Sequence, residues 1–125
     1  MTARETVDAY YDALRAGEPL GPFFADEPSI VKFGISERLD GYDDIVAGLR
    51  EQTETTTDWT VESRALTVTE RETHAWYHDS VRLAWMDTEQ DREYDFETRW
   101  SGTLERRDGA WRFVVLHVST PWEAL

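Results

Sequence analysis

Val7, Tyr10, Tyr11 and Leu14 fall at i, i+3, i+4 and i+7, which is one apolar stripe of an amphipathic helix. The residues in front of it, Thr2-Ala3-Arg4-Glu5, read as a capping box, in which the hydroxyl and the carboxylate each satisfy an orphan backbone donor. Gly17 supplies a left-handed stop. Pro19 to Phe24 has room only for a short helical turn that buries Phe23 and Phe24, and Ser29 to Phe33 reads as a short strand. Tyr42, Ile45, Val46 and Leu49 repeat the helical spacing. They predict a second helix over Gly41 to Gln52, with Asp43 and Asp44 at the positive end of its dipole.

Beyond Glu51 the period changes. Val, Thr, Trp, Tyr and Phe dominate, broken by short polar stretches, and predict four strands near 58–69, 72–87, 91–106 and 110–120. Arg107-Asp108-Gly109-Ala110 is the sharpest hairpin signal, because Asp-Gly fits a type I′ turn. In the strand before it, Tyr94, Phe96, Thr98, Trp100 and Leu104 face one way, and Glu93, Asp95, Glu97, Arg99 and Glu105 the other. The last strand, Trp111 to Val118, is apolar on both faces. It is either central in the sheet or covered outside by a partner subunit, and the second option predicts a homodimer. Helices followed by an antiparallel sheet make an α+β chain.

Composition sharpens this outline. A chain of 125 residues suits one domain able to bury roughly two thirds of its unfolded surface. With no Cys, disulfides, thiolate nucleophiles and Cys-ligated metals are excluded. No apolar run approaches the ~20 residues of a membrane span and no signal-like segment follows Met1, so the expected setting is the cytoplasm. The net charge of −13 opposes binding to a phosphate backbone. Among the 13 cations only Lys32 is lysine. Acidic residues spread through the chain rather than collecting in a tail. At ~1 M salt, where the Debye length is about 3 Å, such a surface is screened, so the composition reads as that of a halophilic protein.

The order helix, short helix, strand, Gly41-Tyr42-Asp43-Asp44-Ile45 helix and four strands resembles the nuclear transport factor 2-like superfamily, in particular its SnoaL-like members. The local match is the segment Arg107-Asp108-Gly109-Ala110-Trp111-Arg112-Phe113-Val114-Val115-Leu116-His117-Val118-Ser119. It is similar to the ending of SnoaL-like domains and of the calcium/calmodulin-dependent kinase association domain. The resemblance covers the whole chain, 1–125, as one domain. It implies a cystatin-like cone: N-terminal helices packed in a strongly curved, antiparallel-rich sheet, with an apolar pocket at the wide end and dimers through the sheet. The superfamily includes isomerases, cyclases, dehydratases, ligand binders and association modules, so the fold alone does not give the activity.

Isomerase-type members use a Tyr on the first helix and two acids that shuttle a proton and hold an oxyanion. Matched by element, Tyr10 takes the Tyr position, while Phe33 and Trp100 stand where the acids would be. That route is broken at two of its three places. His117 shares the period-two face of Trp111, Phe113 and Val115, and corresponds to a family position that looks into the cavity. It reads either as a general acid/base or as a satisfied core histidine. Asp79 shares the phase of Tyr77, Val81, Leu83 and Trp85. An acid on an apolar strand face is paired, has a raised pKa, or is turned outward by a bulge. His74 and His78, on the other parity, lie about 13 Å apart along a strand, too far for one metal.

The sequence therefore predicts a small-molecule pocket lined by Tyr10, Phe33, Trp100 and His117, with Asp79 and Trp85, for an apolar or aromatic compound. The alternatives are a cofactor-free acid/base enzyme, in which His117 or Asp79 moves the proton and Tyr10 stabilises an enolate, and a dimerising association module without ligand. No metal, cofactor, nucleic acid or membrane is expected, and the partner is a second copy through the outer sheet face.

Overall fold

The computed structural model describes residues 1–121. Helix α1 (Ala3–Ala16) opens with the predicted capping box. Thr2 Oγ1 accepts from the Glu5 N–H at 3.1 Å, and Glu5 Oε1 accepts from the Thr2 N–H at 2.8 Å. It closes on Gly17, whose φ of 70° lets its N–H reach back to the last carbonyls. Val7, Tyr10, Tyr11 and Leu14 are all buried, so the stripe faces the core. A 3-10 turn (Gly21–Phe23) leads to strands β1 (Val31–Phe33) and β2 (Arg38–Asp40) and then to helix α2 (Tyr42–Thr55), which buries Ile45 and Leu49. Among the described residues no helix is long and apolar enough to cross a membrane.

Five strands follow: β3 (Thr56–Ser63), β4 (Thr67–Glu70), β5 (His74–Asp87), β6 (Arg92–Arg107) and β7 (Ala110–Ser119). The stretch predicted as one strand over 58–69 is two, and both pair with β5 at different levels. The sheet runs β2-β1-β7-β6-β5-β3, and among the described strands only β1 and β7 pair in parallel. The fold is thus α+β, two helices with a seven-stranded mixed sheet. The β6–β7 hairpin turns at Asp108 (φ 52°) and Gly109 (φ 79°), both in the left-handed region that the Asp-Gly pair tolerates.

Helix α1 packs on the inner face of the sheet, and the core lies between them. Its centre is aromatic: Tyr10 meets Phe113 edge to face at 5.3 Å, and Tyr11 meets Trp100 at 5.3 Å. Gly102 is needed for this closeness, because a Cβ there would stand 2.7 Å from the Tyr77 ring and 2.8 Å from the Val115 carbonyl oxygen.

One irregularity controls which side chains face inward. Thr103 pairs with Val115 but Leu104 pairs with Phe113, so β7 carries one extra residue, Val114, at a bulge. Trp111 and Phe113 point inward before it, Leu116 and Val118 after it, and all four are buried. The strand that looks apolar on both faces is an alternating strand whose phase changes once.

Candidate functional site

Between α1, the far end of the sheet and the β1–β2 loop lies a cavity of about 620 Å³. Six rings wall it: Tyr10 from α1, Trp59 from β3, Trp85 from β5, and Tyr94, Phe96 and Trp100 from β6. Trp59 stacks on Trp85 at 4.8 Å with 16° between planes, and Trp85 on Tyr94 at 5.1 Å with 22°. A bulge in β3 sets Trp59 opposite Trp85, and Asp58 within it takes φ 57°, a conformation that Asp accepts more readily than most residues. The indole N–H of Trp59 donates to Thr56 Oγ1, and that of Trp100 to Thr98 Oγ1, both at 2.9 Å. The polar edges of these two rings are therefore already satisfied, leaving their apolar surface for whatever enters.

The polar part of the cavity is small. Lys32 on β1 is only 5% exposed, and its Nζ donates to Glu37 Oε1 at 2.7 Å. The Glu37 side chain, on the β1–β2 loop, is 41% exposed. Tyr10 lies nearby, and its hydroxyl has no hydrogen-bond partner among the described residues. Burial, followed by the negative charge of Glu37, pushes the Tyr10 hydroxyl well above its ordinary pKa, so it stays a neutral donor. Asp87 and Arg92 also line the cavity. No group of three or more His, Asp or Glu positioned to hold a metal occurs among the described residues.

Of the residues singled out from the sequence, Tyr10, Trp85 and Trp100 line this cavity. Phe33 and His117 do not. They pair across β1 and β7 and lie on the outer face, their rings 5.8 Å apart. The bulge at Val114 reverses the phase on which the inward reading of His117 rested, and His117 is exposed. On β1 the residues flanking Lys32 face out, so Lys32, paired between Leu39 and Leu116, takes the inward position expected of Phe33.

Asp79 does face inward and is 5% exposed, but its carboxylate is fully engaged. Oδ2 accepts from the Tyr11 hydroxyl at 2.9 Å and from Ser63 Oγ at 2.5 Å, and Oδ1 accepts from the Ala65 N–H at 2.9 Å. It joins α1 to the break between β3 and β4, and neither Arg82, Arg99 nor His117 is its partner. Arg82 instead pairs on the outer face with Glu62 and Asp95. The proton-moving roles expected of His117 and Asp79 thus fall on residues that do not line the cavity.

The sequence reading missed Lys32, Glu37, Trp59, Tyr94 and Phe96. A signal for Lys32 was present: it is the sole lysine of the chain and shares the parity of Ile30, which is 2% exposed. The rings of Tyr94 and Phe96 follow from the alternation of β6, read through to the face that Trp100 shares.

The sequence pattern of the SnoaL-like domain family matches residues 3–123. Among curated proteins none matches. Several solved structures share the fold. A nuclear transport factor 2-like superfamily protein from Salmonella enterica serovar Typhimurium superposes with a TM-score of 0.81 at 17% identity, over 94% of this chain and 87% of that one. A nuclear transport factor 2-like protein of unknown function from Pseudomonas putida does so with 0.79 at 21%, over 94% and 83%. An uncharacterized protein with a cystatin-like fold from Caulobacter vibrioides gives 0.79 at 19%, over 96% and 87%. At these identities the likeness speaks to the fold alone.

Proposed function

The chain belongs to the SnoaL-like domain family, and on that premise we propose that its cavity binds a small molecule with a flat, apolar or aromatic body. The observation that carries this reading is the 620 Å³ space walled by six rings, a size within the roughly 300–1,000 Å³ of small-molecule sites. The stacked Trp59 and Trp85 offer a flat ligand apolar ring surface, and the N–H of Trp59 is already paired. Titrating a naphthalene-sized probe should quench the tryptophan fluorescence saturably. In Trp85→Ala the loss of one stacking face should raise Kd about tenfold. Absence of saturable quenching by any aromatic probe, together with an unmoved thermal midpoint, would remove the binding reading.

The expected homodimer enters the same proposal on different grounds. The bulge in β7 explains its doubly apolar pattern without a partner, so that pattern no longer argues for one. Charge does. Among the described residues, the middle of the outer face carries Trp76, His78, Arg99, Ser101, Val115 and His117, and no carboxylate, in a chain of net charge −13. Acids return at both ends: Arg82 and Arg64 hold Glu62, Asp95 and Glu97 at one, and Arg107 holds Glu105 at the other. Trp76 and Val115 are 42% and 38% exposed on this face, among the few large apolar side chains left in water. A second copy meeting there would bury them without opposing like charges. Sedimentation velocity should show a dimer that Trp76→Glu converts to a folded monomer. A wild-type monomer at tens of micromolar would overturn it.

A further inference from the structure

We propose that Lys32 makes the cavity selective for compounds whose apolar body carries an anionic group, a carboxylate, phenolate or enolate, and that this group replaces Glu37 as the counter-ion of Lys32. The inference rests on the binding reading above and names its ligand class.

The Lys32–Glu37 ion pair is asymmetric. Lys32 is 5% exposed, while the Glu37 side chain is 41% exposed. An ammonium stripped of water is costly to leave alone, whereas a half-exposed carboxylate regains water by a change of rotamer. The pair therefore exchanges in one direction. An incoming anion takes over the buried cation, and Glu37 turns to solvent. The ammonium has three donors, of which the described residues use one, on Glu37 Oε1. Tyr10, whose hydroxyl has no partner among the described residues, adds a neutral O–H on the same wall.

Composition sharpens the assignment. Twelve of the 13 cations are Arg, and those in ion pairs hold carboxylates such as Asp12, Asp40 and Glu97. The single Lys is placed inward, between Leu39 and Leu116, where an apolar side chain would fit the strand equally well. The net charge of −13 and Asp87 oppose an anion at long range while Arg92, also lining the cavity, favours one, but these fields are screened within about 8–10 Å at physiological salt. Contact with a desolvated ammonium is not screened in this way.

The test compares two probes of nearly one shape, 2-naphthoate and 2-naphthalenemethanol, by quenching of tryptophan fluorescence. Naphthoate should bind at least tenfold more tightly to the wild type. Lys32→Met should remove that preference and leave the alcohol within about threefold. Glu37→Gln, which keeps Lys32 but removes the competing charge, should tighten naphthoate severalfold and is the control should Lys32→Met fold poorly. Equal affinities for the two probes, with Glu37→Gln without effect on either, overturn the selectivity while the pocket stands. Failure of both probes to bind removes the pocket and this inference together.

Discussion

Replacing Asp79 with alanine is expected to destabilise the fold by about 3–5 kcal/mol, since it removes three hydrogen bonds to a buried carboxylate and leaves the buried Tyr11 hydroxyl without an acceptor. The carboxylate is 5% exposed and receives the Tyr11 hydroxyl, the Ser63 hydroxyl and the Ala65 N–H. Ser63 and Ala65 are exposed and can turn to water; Tyr11, 1% exposed, cannot do so without opening the structure. Urea denaturation of the single variant, of Tyr11→Phe and of the double variant checks the cause. The double variant should recover part of the loss, because removing the orphaned hydroxyl removes its desolvation cost. A loss below about 1 kcal/mol in Asp79→Ala would show that water or backbone movement satisfies these donors.

Trp100→Ala should cost a similar amount, about 3–5 kcal/mol, and change the cavity as well. The indole is 3% exposed, packs edge to face on Tyr10 and Tyr11, and anchors its N–H on Thr98. Its removal merges core volume with the cavity and frees Tyr10 to move. The expected result is a lower thermal midpoint with ligand affinity reduced beyond that of Trp85→Ala. Trp100→Phe, which keeps a ring in place, should retain most of the stability. If Trp100→Ala melts within a few degrees of the wild type, the indole is not part of the support of the inner face.

Both residues were visible in the sequence, though only one with its surroundings. The face of Trp100 follows from the alternation of β6, and the face of Asp79 from that of β5. The three donors on Asp79 come from α1 and from the break between β3 and β4, which period cannot reveal because the apolar pattern runs across it. The helices were legible because caps and stripes are local: Thr2, Glu5 and Gly17 do what their chemistry requires. His117 and Phe33 were misplaced for two different reasons. A bulge adds one residue without a composition signal when its neighbours, Val114 and Val115, are alike. A three-residue strand such as β1 is too short to show a phase, so Lys32 was noticed for its rarity and not for its position.

The parallel pairing of β1 with β7 also orders the folding of this protein. Val31 lies beside Val115, Lys32 beside Leu116 and Phe33 beside His117, contacts that span more than eighty residues of chain. Closing so long a loop is slow compared with forming α1 or the β6–β7 hairpin, whose partners are near in sequence. During synthesis β1 emerges early with β2 beside it and lacks its other neighbour until β7 has left the ribosome. The lysine that polarises the cavity is therefore set in place last, when the chain is nearly complete, and any species that stalls before that closure holds the aromatic wall without this lysine.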